Sequence, residues 1–169
     1  LLVDGNPGGE AREAETFFLR HAMVPVSAAE VENYFIKTAV ITAPELEGTR
    51  LDDYDAVVLA NVAEFPSATV GAFEQYLRRG GGLMIFPGGK VNTTFYNEQL
   101  FKRSGILPAA LGAARGDAAA DDKFATLQGQ GYDHPIVSIW NDAGAGTLAS
   151  ARFYRNFELQ PGEAPKETV

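Results

Sequence analysis

DAVVLANVAEFPSATVGAFEQYLRRGGGLMIFPGGK, residues 55–90, is the stretch that decides the fold. After Asp55, Ala56 to Ala60 form an unbroken apolar run, and Leu83-Met84-Ile85-Phe86 form a second. Uninterrupted rather than alternating hydrophobicity predicts strands covered on both faces, as in a parallel sheet. Between them Ser67 is placed to cap a helix whose Val70, Phe73, Tyr76 and Leu77 recur at helical spacing. Gly80-Gly81-Gly82 stops that helix, because glycine takes the positive φ of a helix terminus without steric cost. The stretch is therefore a βαβ unit with a right-handed crossover. In open α/β sheets ligands sit beyond the carboxyl ends of the strands. Those ends are here Asn61 to Glu64 and Pro87 to Lys90.

Upstream, Leu1-Leu2-Val3-Asp4 reads as a first strand ending in an acid, followed by the turn formers Gly5-Asn6-Pro7-Gly8-Gly9. Glu10 to about Met23 is expected to be one helix, with Ala14, Phe17, Phe18 and Ala22 buried and Glu10, Glu13 and Glu15 favouring its early turns. Glu30 to Tyr34 suggests a helical turn, and Ile36 to Thr42 a β-branched second strand. Downstream, Asn92 or Thr93 is positioned to cap a helix to about Arg103, with Phe95, Leu100 and Phe101 inward. Ala109 to Ala120 is rich in small residues and reads as a connection. Phe124 to Leu127, Ile136 to Trp140 and Leu148 to Leu159 read as later strands spaced like antiparallel hairpins. Alternation places Phe153, Arg155, Phe157 and Leu159 on one face, where Arg155 either stacks on the aromatics or pairs with an acid or, the favoured reading, snorkels to water. Residues 1–160 thus form one domain, a βα core over 1–104 and a β-rich extension over 105–160, and 161–169 a linker or tail.

The chain of 169 residues is long enough for one domain with a proper core. Its 46% hydrophobic and 21% charged content is that of a globular protein. A net charge of −8 argues against nucleic acid or an anionic membrane surface as the main partner. The absence of cysteine excludes disulfides, thiolate metal sites and cysteine nucleophiles. No apolar run approaches the roughly 20 residues of a membrane span. The chain starts inside an apparent strand with no methionine or signal peptide, and reads as a piece of something longer.

The familiar cofactor loops fail on spacing, and no cofactor is expected. Gly89-Lys90 is followed by Val91, and the position five before Gly89 is Met84 inside a strand, so there is no mononucleotide P-loop. Gly5 to Gly9 does not give the dinucleotide fingerprint, and it lacks the serine or threonine of a flavodoxin phosphate loop. Asn61 stands where a receiver domain needs its aspartate. His21 and His134 belong to no metal-binding cluster, and Asp52-Asp53 and Asp121-Asp122 read as solvated loop acids, so no metal site is expected. Asp133-His134-Pro135 reads as a turn rather than an acid–base pair. Arg78-Arg79 and Lys102-Arg103 fall at helix ends, where the dipole explains them.

Five segments together resemble the class I glutamine amidotransferase-like superfamily: Leu2 to Gly5, Tyr54 to Asn61, Phe73 to Gly82, Leu83 to Gly89 and Asp133 to Ile136. Glu15 to Leu19 and Val91 to Asn97 narrow the resemblance to the module of large bacterial membrane proteins with an aerotolerance-type double-transmembrane region. It implies an α/β, flavodoxin-like three-layer sandwich, with a mainly parallel sheet in the order 2-1-3-4 and a C-terminal antiparallel β extension. It also implies a soluble fragment of a membrane-anchored parent, with the parent's other domains as partners. Active members place a cysteine in a G-x-C-x-G elbow after the strand equivalent to Leu83–Phe86, activated by a histidine in H-x-E. Here that elbow falls near Pro87-Gly88, and His134 is followed by Pro-Ile. Both halves of the nucleophile–base pair are missing, so glutaminase activity is expected to be absent.

Three readings follow. The first is a non-catalytic module that binds a small molecule or protein in a pocket lined by Asp4, Gly5, Asn6, Asn61, Glu64, Gly88, Gly89 and Lys90, using backbone N–H groups at the glycines. The second is a hydrolase or transferase using Asp4, Glu64 or Lys90 as acid or base there. The third is a scaffold whose crevice is filled by Phe65, Phe86 or Tyr96.

Overall fold

The computed structural model describes residues 1–117, 119 and 122–162. A four-stranded parallel sheet has the order β2-β1-β3-β4, from β1 (Leu2–Asp4), β2 (Val40–Thr42), β3 (Ala56–Ala60) and β4 (Gly82–Phe86). Helix α1 (Phe17–Met23) lies between β1 and β2, and α2 (Ser67–Arg78) between β3 and β4. This is the α/β, flavodoxin-like arrangement. The chain divides into two compact units, one of Leu1–Leu111 with the segment from Leu159, the other of Gly112–Glu158.

The core of the first unit forms where the apolar runs cross the sheet centre. Leu2, Val3, Val57 and Leu59 of the strands are buried, as are Val70, Phe73 and Tyr76 of α2. Helix α2 ends as its glycines predict: Gly80 takes φ +92, the Gly80 amide donates to Leu77 O and the Gly81 amide to Tyr76 O. Ser67 is the first helical residue, Pro66 precedes it, and no side chain caps the N-terminus. Asn92 does cap α3 (Thr93–Phe95), accepting from the Phe95 amide at 3.2 Å. That helix continues as a π-helical stretch, Tyr96–Arg103, in which Tyr96 and Leu100 are the buried side chains and Phe95 and Phe101 are half-buried.

Four expectations are corrected. The helix over residues 10–23 is broken: Ala11–Glu13 form a 3-10 turn, α1 begins at Phe17, and Phe18 is 72% exposed, with Ala22 exposed too. The cause is local, because Glu13 turns its carboxylate back onto the Gly9 and Glu10 amides, at 2.8 and 3.1 Å, and closes the turn. The second strand is only Val40–Thr42, ending where Glu45 accepts from the Thr42 amide and hydroxyl. β4 is not covered on both faces, since Met84 and Phe86 are about half exposed. In the C-terminal part, Ala109–Gly116 is a strand (β5) rather than a connection, while Ser138–Asn141 and Leu148–Ser150 are 3-10 turns.

β5 pairs with β8 (Arg155–Pro161), and β6 (Ala125–Thr126) pairs antiparallel with β7 (Arg152–Phe153). The bend at Tyr154 separates β7 from β8, so Phe153 and Arg155 belong to different sheets. Arg152, not Arg155, stacks on an aromatic ring, 4.7 Å from the Phe124 centroid. Of the expected tail, residues 163–169 lie outside the described residues, as does Asp121.

Candidate functional site

The carboxyl ends of β1, β3 and β4 bring together most of the residues singled out from sequence, and a hydrogen-bond network explains how. Asp4 ends β1 and is 2% exposed. Its Oδ1 accepts from the Asn6 amide at 2.9 Å, and its Oδ2 from the Thr16 amide and hydroxyl at 3.0 and 2.7 Å. Asn61 follows β3 with φ +51, the one non-glycine residue at positive φ among the described residues. Asparagine tolerates this left-handed conformation better than other side chains. From there its Oδ1 accepts from the Lys90 amide at 2.8 Å, and its Nδ2 donates to Glu15 Oε1 at 2.7 Å. Lys90 Nζ donates to Asn6 Oδ1 at 2.7 Å.

The result is a closed clasp: the β1 loop through Asn6, the β4 loop through Lys90, and the segment before α1 through Glu15, all tied to Asn61. Two glycines make it possible. A Cβ on Gly5 would overlap the Asn61 carbonyl, and one on Gly88 would overlap the Asn61 side-chain amide. The Gly5 amide is not free, since it donates to Ala60 O at 2.8 Å. Gly88 and Gly89 differ, for their amides donate to none of the described residues, and Gly89 faces open space.

Glu64 stands apart from the clasp. It is exposed and accepts from Asn92 Nδ2 at 2.6 Å, which joins the β3 loop to the start of α3. Beneath that loop, Phe65 packs against Phe73 and Phe95, with centroids 5.5 and 5.1 Å apart. The Tyr96 hydroxyl, fully buried, donates to Val62 O at 2.8 Å. Burial alone pushes the Tyr96 phenol pKa far up. Phe86 is turned outward and fills nothing. What occupies the space between the β3 and β4 ends is the Asn61 side chain itself.

Sequence reasoning missed Glu15, Thr16 and Asn92 as members of this end of the sheet. Glu15 and Thr16 were hidden by being read as mid-helix residues, and Asn92 by its role as a helix cap. The histidines play no part in the network. His134 accepts from the Ile136 amide within its turn, and His21 contacts the Phe17 carbonyl one helical turn back. Among the described residues no three His, Asp or Glu side chains converge as a metal site, and no helix is long and apolar enough to cross a membrane.

Three cavities lie in the first unit. An apolar one of about 380 Å³ borders Leu77, Leu83, Ile85, Tyr96, Leu107 and Leu111. One of about 440 Å³ runs from Asp4 and Thr16 past His21 to Thr42. A polar one of about 470 Å³ sits at the opposite end of the sheet, by Asp52, Tyr54 and Arg79. Comparison of the chain with protein-family models, with curated proteins and with solved structures gave no match.

Proposed function

We propose that this chain is a non-catalytic domain of the class I glutamine amidotransferase-like kind, serving as a binding module of a larger, membrane-anchored bacterial envelope protein. The observation that supports the non-catalytic reading is at Gly88. The resemblance sets the nucleophile elbow near Pro87-Gly88, and a side chain at Gly88 would collide with the Asn61 amide that holds the clasp together. A nucleophile there needs both a side chain and a base within hydrogen-bond reach. Asp4 and Glu64, the acids suited to general acid–base work, are already engaged with Thr16 and Asn92.

The binding reading rests on what the clasp leaves over. The Gly88 and Gly89 amides, with the donors that the exposed Lys90 ammonium keeps beyond its bond to Asn6, lie on one loop that Asn61 holds through the Lys90 amide. Such donors suit a ligand group that accepts hydrogen bonds, such as a carboxylate or phosphate. Two measurements test this reading. Incubated with L-glutamine, the purified chain is expected to release no more ammonia than a protein-free blank, and release above it overturns the non-catalytic assignment. Titrated with acetate and inorganic phosphate, the ¹⁵N-labelled chain is expected to shift the Gly88, Gly89 and Lys90 amide resonances first. Resonances that stay fixed while others move place binding elsewhere.

A further inference from the structure

β4 is an edge strand without the devices that usually protect an edge. Among the described residues its one neighbour is β3. The Gly82 amide donates to Asp55 O, and Phe86 O accepts from the Asn61 amide. Gly82, Met84 and Phe86 therefore aim their main-chain groups at β3, and by strand alternation Leu83 and Ile85 aim theirs outward. Exposed edges in native sheets are kept short or carry lysine, proline or bulges. The opposite edge, β2, has three residues and obeys this rule. β4 has five, Gly-Leu-Met-Ile-Phe, with no charge, and Met84 and Phe86 are 52% and 49% exposed.

We propose that β4 is a self-association surface, on which two copies of this chain pair their β4 strands antiparallel about a two-fold axis through Met84. The strand's own sequence selects this occupant. With Met84 on the axis, Leu83 of one copy faces Ile85 of the other, and these are the residues whose N–H and C=O groups point outward, so each pair exchanges both hydrogen bonds. Met84 then faces Met84 in a close, non-hydrogen-bonded pair. Phe86 faces Gly82, where the ring covers the bare glycine backbone and no side chain opposes it. A register shifted by one residue loses the alignment of donors with acceptors, and one shifted by two keeps that alignment but loses the glycine–phenylalanine match. Pro87, which has no N–H, ends the ladder at one side. A chain of net charge −8 repels its own copies, and an uncharged strand is where that repulsion is least felt. The interface is isologous and joins two four-stranded sheets into one continuous sheet.

The experiment is sedimentation velocity on the full chain from low to high micromolar concentration, with three single variants. The wild type is expected to be a monomer–dimer system. Met84→Lys sets like charges against each other at the axis and is expected to weaken the dimer about tenfold or more, with an unchanged circular dichroism spectrum because the site is half exposed in the monomer. Since the chain has no cysteine, one introduced thiol reports the register. Facing residues of a non-hydrogen-bonded pair lie about 4.5 Å apart at Cα, within the range a disulfide spans. Met84→Cys is therefore expected to cross-link on mild oxidation much faster than Phe86→Cys, whose facing residue is glycine. The cysteine pair decides the matter even where Met84→Lys fails to fold. A monomer at every concentration, a dimer indifferent to Met84→Lys, faster cross-linking through Phe86→Cys, or a monomer that pairs only with a foreign strand each overturns the proposal.

Discussion

β3 and β4 lie side by side, residue against residue, and are equally apolar, yet they live in different surroundings. Val58 of β3 is 7% exposed, while its register partner Met84 on the same face of the sheet is 52% exposed. Leu59 is fully buried, while its partner Ile85 is only half-buried and borders a cavity. An uninterrupted apolar run marks a strand that belongs against other apolar surface; it does not say whether the same chain supplies that surface. β3, inside the sheet between β1 and β4, obtains it on both faces. β4, at the edge, obtains half of it.

The largest test of this contrast is truncation on either side of it. Leu59→Ala is expected to cost about 2–5 kcal/mol, the range for a buried leucine that leaves a cavity. Met84→Ala, at protein concentrations where the chain is monomeric, is expected to cost less than about 1 kcal/mol, as a surface substitution does. Urea denaturation of both variants measures the difference. Equal losses in dilute solution would mean that β4 is covered in the monomer after all. A Met84→Ala loss that grows with protein concentration would instead sharpen the contrast, because it locates the missing cover in a second copy.

Next in size is Asn61, which ends β3 and holds the loop after β4. Asn61→Ala removes the acceptor of the Lys90 amide and the donor to Glu15, and leaves alanine at φ +51. The expected loss is about 2–4 kcal/mol. Asn61→Gly loses the same hydrogen bonds without the backbone strain, and should recover about 1 kcal/mol of it. Identical losses for the two variants would show that the side-chain clasp, not the conformation, is what matters there.

The neighbouring glycines give a smaller and cleaner pair. Gly88→Ala pushes against the Asn61 side chain and is expected to cost about 1–3 kcal/mol. Gly89→Ala meets nothing and should stay within about 0.5 kcal/mol. In an Asn61→Gly background the Gly88→Ala cost should largely vanish, because the atoms it strikes are gone. A double-mutant cycle with no coupling would break the clasp as described.

How much of this was legible in the sequence depended on the range of the interaction that decides each feature. Strands β1, β3 and β4, helix α2 and its Gly80 terminus follow from apolar runs and local turn chemistry, and they were readable. The α1 region was not. Glu10, Glu13 and Glu15 look like first-turn acids of one helix, but Glu13 closes a separate turn and Glu15 reaches Asn61, 46 residues away. Ser27-x-x-Glu30 and Thr42-x-x-Glu45 carry a legible signal of the same kind: in each, the glutamate accepts from the serine or threonine amide and hydroxyl. The strand ends were identifiable as the place where polar residues converge, because topology alone puts them there. That these residues are bonded mainly to one another depends on a φ value and two glycine contacts, which no spacing rule encodes.

Tyr96 gives the smallest effect and tests the contrast from below, since its hydroxyl holds the loop after β3 while its ring borders the cavity beside β4. Tyr96→Phe keeps the ring and leaves Val62 O without its donor, at an expected cost of about 1 kcal/mol near neutral pH. The alkaline limb carries the sharper signature. Burial raises the folded-state pKa of Tyr96 above the value of about 10 that tyrosine has in an unfolded chain. The unfolded state therefore loses this proton first, and the stability Tyr96 contributes is intact below about pH 10 and declines as pH rises beyond it. Tyr76 is shifted in the same direction, mainly by burial, so the variant retains part of the dependence. The wild-type and Tyr96→Phe stability curves should thus converge above pH 10, and phenolate absorbance should show Tyr96 ionising only as the fold opens. Curves that stay parallel through that range would mean that water reaches the Tyr96 hydroxyl, and that the loop after β3 is as open as the edge of β4.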